Sequence, residues 1–167
     1  MVLVQANTYK VTYSHGNNGT LKGHQGGNST FFENGAAIAS GSKVTFVATP
    51  AENYQVRKWT VNGNEVTAGM TEYTLSADKK TLTISSLNDN LDVHVEFSNR
   101  FYTVSAQSGE NGSVTATANS NPLAATSVLS GTEVTFTAAP NPGYVVNQWT
   151  VTRDGKTETQ KNTDGSD

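Results

Sequence analysis

The chain has 167 residues and a net charge of -3, with its 11 basic and 14 acidic side chains scattered, so it offers no basic stripe to neutralise phosphate and nucleic acid is excluded as an expected partner. It has no cysteine, which rules out disulfides and thiolate metal sites, and no apolar run approaches the roughly 20 residues of a membrane-spanning helix, so no membrane insertion is expected. Fifteen glycines and heavy use of Thr, Val, Asn and Ser favour strands and turns over long helices.

Taken in order, residues 1–7 hold a short alternating pattern in Val2 and Val4 that runs almost directly into Tyr9, Val11 and Tyr13. This stretch loosely matches the second half of residues 93–104, and is expected to be the last strand of a preceding repeat. A first strand follows over 9–13, then Asn18-Gly19, then a second strand over 20–22. An Asn-Gly pair between alternating segments predicts positive φ at both positions and a tight hairpin. The same order returns at an offset of 93 residues in Tyr102, Val104, Gly109, Asn111, Gly112 and Val114. Asn18-Gly19-Thr20, Asn28-Ser29-Thr30 and Asn111-Gly112-Ser113 also fit the glycosylation acceptor pattern, although turn geometry is the simpler reason for the two Asn-Gly cases.

Residues 23–40 differ most between the two copies. The Gly-rich and polar run 24–28 reads as an exposed loop, and Phe31-Phe32, Asn34-Gly35 and 36–39 predict an extra hairpin. A variable loop is where a partner surface is most easily placed, which makes Phe31 and Phe32 the candidate contact residues.

Residues 41–61 and 131–151 are the same segment twice, at a spacing of 90 residues and with eleven of twenty-one positions identical. The shared residues are mostly large apolar side chains and turn formers, a packing pattern rather than a reaction centre. Val44, Phe46 and Ala48 share one face of a strand that Pro50 ends, and Val134, Phe136, Ala138 and Pro140 repeat it. In the next strand Tyr54 and Val56 lie on even positions but Trp59 and Val61 on odd ones. That change of parity predicts a bulge near Arg57-Lys58, and another at Asn147-Gln148. Tyr54, Trp59, Tyr144 and Trp149 are accordingly expected in the core.

Repeat 1 continues with a turn at Asn62-Gly63-Asn64 and strands over 72–75, 81–85 and 91–97. Repeat 2 runs instead into the polar stretch 157–167, with no counterparts to Leu82, Ile84, Val93, Val95 and Phe97, so its sheet is either short of strands or filled by strands from elsewhere. The expected organisation is a leftover strand at 1–7, a complete repeat at 8–99 and a C-terminally incomplete repeat at 100–167. Only Ser98, Asn99 and Arg100 join Phe97 to Phe101.

The three histidines are His15, His24 and His94. Asp92, His94 and Glu96 alternate along one strand face and could line up around a divalent cation, but a solvated face is the simpler reading. The run 88–92 lacks the glycine and the distant glutamate of a calcium loop and reads as an Asx turn. No Ser/His/Asp order, phosphate-cradling glycine loop or pocketed carboxylate pair can be argued, so no catalytic, cofactor-binding or metal residue is assigned and the chain is expected not to be an enzyme.

The order Tyr-x-Val, Asn-Gly-Ser/Thr, Gly-x-x-Val-Thr-Phe-x-Ala-x-Pro-x-x-x-Tyr-x-Val-x-x-Trp-Thr-Val and Asn-x-x-Val-x-Val-x-Phe resembles the divergent branch of the internalin-B-type B-repeat family of bacterial surface proteins, in full over residues 9–97 and in part over 102–151. Two departures are Asn53, where the family usually carries the glycine that Gly143 supplies, and the missing end of repeat 2. The resemblance implies two tandem small antiparallel β domains, β-grasp-like, with little or no helix, secreted or held at the bacterial surface as stalk, spacer or adhesin. Its implied partners are neighbouring repeats of the same chain and a host or matrix protein or glycan. The family has no catalytic motif or cofactor to carry over. The alternative is a carbohydrate-binding module, or an accessory domain of a secreted hydrolase, that stacks exposed aromatics such as Phe31 and Phe32 on sugar.

Overall fold

The computed structural model describes residues 7–26, 30–123 and 127–161; the stretch 2–6, Asn28 and residues 162–167 lie outside them. The chain divides into two compact units, Met1–Arg100 and Phe101–Asp167. The described residues are mainly β and contain no helix.

Among the described residues unit 1 has ten strands: β1 (Thr8–His15), β2 (Gly19–Gln25), β3 (Phe31–Phe32), β4 (Ala36–Ala39), β5 (Val44–Pro50), β6 (Tyr54–Val61), β7 (Asn64–Glu65), β8 (Tyr73–Leu75), β9 (Thr81–Ile84) and β10 (Leu91–Asn99). They form two five-stranded sheets, in the orders β4-β1-β10-β6-β7 and β3-β2-β5-β9-β8. Neighbours are antiparallel except at one place. The first and last strands, β1 and β10, lie side by side and parallel, with Val11 opposite Leu91 and His15 opposite Val95. The expected mainly β, antiparallel character holds, with this one parallel pair inside it.

Alternation builds the core. Val11, Val56, Trp59, Val61, Val93 and Val95 from the first sheet join Leu21, Val44, Phe46, Ala48, Leu82 and Ile84 from the second in one buried cluster, so the two sheets share a single apolar layer. The parity switch in β6 is a bulge. Glu96 pairs with Lys58 and Phe97 with Val56, which leaves Arg57 as the extra residue and lets Val56 and Trp59 point the same way.

Two predicted hairpins are corrected by the pairing. Asn18 has φ 70° but Gly19 opens β2 without a positive φ, and β1 and β2 belong to different sheets, so the turn carries the chain from one layer to the other. Gly19 is required by packing instead, since a Cβ there would lie 2.3 Å from the Phe97 ring. Likewise β3 pairs with β2 and β4 with β1, so residues 31–32 and 36–39 edge opposite sheets rather than each other. A tight two-residue hairpin does form at Asn62-Gly63, with φ 49° and 79°, between β6 and β7.

Unit 2 has β11 (Phe101–Thr103), β12 (Gly112–Ala118), β13 (Asn121–Pro122), β14 (Ser127–Leu129), β15 (Val134–Pro140), β16 (Gln148–Arg153) and β17 (Lys156–Lys161). Register is kept from unit 1: Tyr102 faces Val128 as Tyr9 faces Ile38, and Gly112 faces Pro140 as Gly19 faces Pro50. The sheets are β11-β14, β13-β12-β15 and β16-β17, which are the sheets of unit 1 with β8, β9 and β10 removed. Residues 104–108, which correspond to the part of β1 that bonds to β10, and 144–147, which correspond to the part of β6 that meets Phe97, Ser98 and Asn99, are in no strand. The bulge expected at Asn147-Gln148 is therefore not formed, because a bulge needs a partner strand to be counted against. At the turn where the two copies differ, Asn53 has φ 66° and Gly143 φ 83°, so asparagine takes the same left-handed conformation.

Candidate partner surface

The two candidate phenylalanines point to opposite sides of the edge strand β3. Phe32 turns inward, edge-on to Tyr13 at 5.7 Å and to Phe46 at 6.1 Å between ring centres. Its room comes from Gly23 opposite, where a Cβ would lie 2.5 Å from the ring. The Tyr13 hydroxyl donates to the Phe32 carbonyl oxygen at 2.8 Å, and burial, with the charge of Glu33 adding to it, raises the pKa of that phenol. Phe31 turns outward and is 53% exposed. The His24 ring lies 4.2 Å from it and the Lys22 ammonium 4.6 Å over it, so two side chains of β2 already rest against this ring. Sequence reasoning treated the pair as one surface; period-2 alternation splits it into one core residue and one surface residue.

The polar stripe on β10 is engaged within the sheet. Asp92 accepts from the Thr12 hydroxyl at 2.9 Å, His94 Nδ1 meets the Ser14 hydroxyl at 2.8 Å, and Glu96 lies 3.1 Å from Lys58 Nζ and 3.4 Å from Arg57. The loop before β10 is held by side chain to backbone bonds: Asn90 N–H to Asp89 Oδ1 at 2.7 Å, Lys10 N–H to Asn90 Oδ1 at 2.8 Å, and Asp92 N–H to Asn62 Oδ1 at 2.7 Å.

The four aromatics expected in the core part company between the units. Trp59 is 1% exposed, and its indole Nε1–H donates to the Lys79 carbonyl oxygen at 2.7 Å; Tyr54, at the end of β6, is half-buried. Tyr144 and Trp149 are 55% and 37% exposed, which corrects their placement in a core. The physical reason is the missing neighbours. In unit 1 Trp59 lies opposite Val95 of β10, and among the described residues unit 2 has no such strand. Val151 and Phe136 are likewise exposed where Val61 and Phe46 are buried. Tyr102, Val128, Val134, Phe136, Trp149 and Val151 line an open groove of about 950 Å³ in unit 2. That groove, which polar side chains such as Gln107, Glu110 and Asn147 also line, was not foreseen as a surface. Its sequence signal is that residues 152–167 hold no counterparts to Leu82, Ile84, Val93, Val95 and Phe97. Strand β17 was also missed, because its residues show no apolar alternation. The Asp154-Gly155 pair, with φ 50° and 74°, marked the hairpin that produces it.

The divergent InlB B-repeat domain family model matches residues 9–85 and again residues 102–165. Comparison with curated proteins and with solved structures finds no match.

Proposed function

The chain belongs to the divergent InlB B-repeat domain family, and on that premise we propose that it is a non-enzymatic stalk or spacer segment of a protein displayed on or secreted from a bacterial cell. The observation that carries this reading is the duplication itself. Two units with the same strand register follow each other with only Arg100 between the end of β10 and the start of β11, and so short a joint serves to string modules in series. The shared residues are structural, as a spacer requires, and an adhesive contact would sit on what differs between the copies, above all residues 23–40.

The test is to place one, two or three copies of the segment between a cell-wall anchor and an epitope tag on a bacterial surface. A spacer raises antibody access to the tag with each copy added. Access that does not change with copy number would sink the reading. A second reading, a carbohydrate-binding module, draws support from the exposed ring of Phe31. On a glycan array it requires specific binding that Phe31→Ala abolishes, whereas the spacer reading requires no selective signal.

A further inference from the structure

Asn18, Asn34, Asn62 and Asn111 are each followed directly by glycine. Glycine carries no side chain to shield its backbone nitrogen, so in such a pair that nitrogen can attack the asparagine carboxamide when both groups are free. All four asparagines are exposed, so exposure does not separate them. Hydrogen bonding does.

The Asn62 carboxamide is held at both ends by the start of β10. Its Nδ2 donates to the Asn90 carbonyl oxygen at 3.1 Å, and its Oδ1 accepts from the Asp92 N–H at 2.7 Å. At Asn34-Gly35 each reacting group is engaged: Asn34 Oδ1 accepts from the Tyr13 N–H at 2.8 Å, and the Gly35 N–H donates to the Val11 carbonyl oxygen at 2.9 Å. Asn18 and Asn111 differ from both. Among the described residues they are bonded through the backbone carbonyl oxygen, which accepts from the Ala51 N–H and the Asn141 N–H respectively, each at 2.9 Å, and their carboxamides are unbonded. Those bonds make Gly19–Pro50 and Gly112–Pro140 non-bonded pairs of their ladders, so neither glycine N–H is spent on the facing strand.

We propose that Asn18-Gly19 and Asn111-Gly112, the same turn in both units, are sites of spontaneous deamidation, and that Asn34 and Asn62 are shielded by their bonds. The glycine nitrogen bonds to the asparagine Cγ, the Cγ–Nδ2 bond breaks, and the amide proton leaves with Nδ2 as ammonia. Water then opens the cyclic imide. Opening at Cγ gives aspartate, and opening at the α-carbonyl gives isoaspartate, whose chain runs through Cβ and Cγ. In isoaspartate the oxygen that faced the Ala51 or Asn141 N–H belongs to a free carboxylate. Each event adds one negative charge to a chain already at -3. Asn18 has its free carboxamide with β10 in place, so the assignment in unit 1 is independent of what lies beside unit 2. It stands whether the segment serves as a stalk or as an adhesin.

The full chain is kept for weeks in mildly alkaline buffer, with a parallel sample unfolded in guanidinium chloride, and deamidation at each asparagine is followed by peptide mapping with mass spectrometry. In the folded chain Asn18 and Asn111 should react at least about tenfold faster than Asn34 and Asn62. In the unfolded chain the four rates should converge, because the bonds that separate them are gone. Folded-state rates at Asn18 or Asn111 no faster than those at Asn34 and Asn62, or the same spread of rates in the unfolded chain, would each overturn the proposal.

Discussion

The indole nitrogen of Trp59, on one sheet of unit 1, donates a hydrogen bond at 2.7 Å to the backbone carbonyl of Lys79, in the turn between β8 and β9 of the other sheet. One side chain thus spans the apolar layer and ties down the turn across from it. Trp59→Ala should remove about 3–5 kcal/mol from unit 1, the usual range for a buried aromatic. Trp149→Ala, at the matching site of unit 2, should cost about 1 kcal/mol or less, because Trp149 is exposed and no described strand covers it. Urea unfolding of the two variants, followed by circular dichroism, measures the difference.

Gly19 and Phe97 form a second pair whose fit is steric. A methyl group at position 19 would lie 2.3 Å from the ring, so Gly19→Ala should destabilise by about 1–3 kcal/mol through overpacking. In a Phe97→Ala background the same change should cost less than about 0.5 kcal/mol, because its obstacle has gone. A double-mutant cycle on melting data checks the coupling.

The bulge makes a prediction by deletion. Removing Arg57 restores an unbroken register between β6 and β10 and turns either Trp59 and Val61 or Val56 and Tyr54 away from the core. The deletion should abolish cooperative unfolding of unit 1. Arg57→Ala keeps the extra residue and loses only an exposed contact with Glu96, so it should cost less than about 1 kcal/mol.

Acid should loosen the turn that Trp59 holds. The Asp78 carboxylate accepts from the Ser76 hydroxyl and, at 3.0 Å, from the Lys80 N–H, and these bonds, that of Ser76 foremost, hold its pKa below the ordinary value of 3.8. A depressed folded pKa means that the contribution of Asp78 is complete above 3.8 and is lost as pH falls through the lower folded value. The near-ultraviolet signal of Trp59 should therefore change below that point, and Asp78→Asn should remove this acid step.

Local chemistry made much of unit 1 legible. The alternation of Val44, Phe46 and Ala48 marked β5, and the parity change between Val56 and Trp59 placed the bulge near Arg57-Lys58, where the pairing leaves Arg57 as the extra residue. Partner choice was not legible. Asn18-Gly19 and Asn62-Gly63 look alike in sequence, yet the first crosses between sheets and the second closes a hairpin, because the difference lies in which distant strand is bonded to each flank. The fate of Phe31 and Phe32 was hidden for the same reason, as β2 alone decides which side of β3 faces Phe46. Tyr144 and Trp149 carry the same local signature as Tyr54 and Trp59. Burial is a property of the pair of strands, and the pattern within one strand states only which face would be buried.

The central claim is that, among the described residues, two copies of one pattern reach different degrees of closure: β10 pairs with β6 in unit 1, and no described strand takes that place beside β16 in unit 2. Amide hydrogen exchange measured segment by segment tests it most directly. The account predicts that the amides of Tyr54–Val61 exchange at least about 100-fold more slowly than those of Gln148–Arg153. Equal protection of the two strands would contradict it.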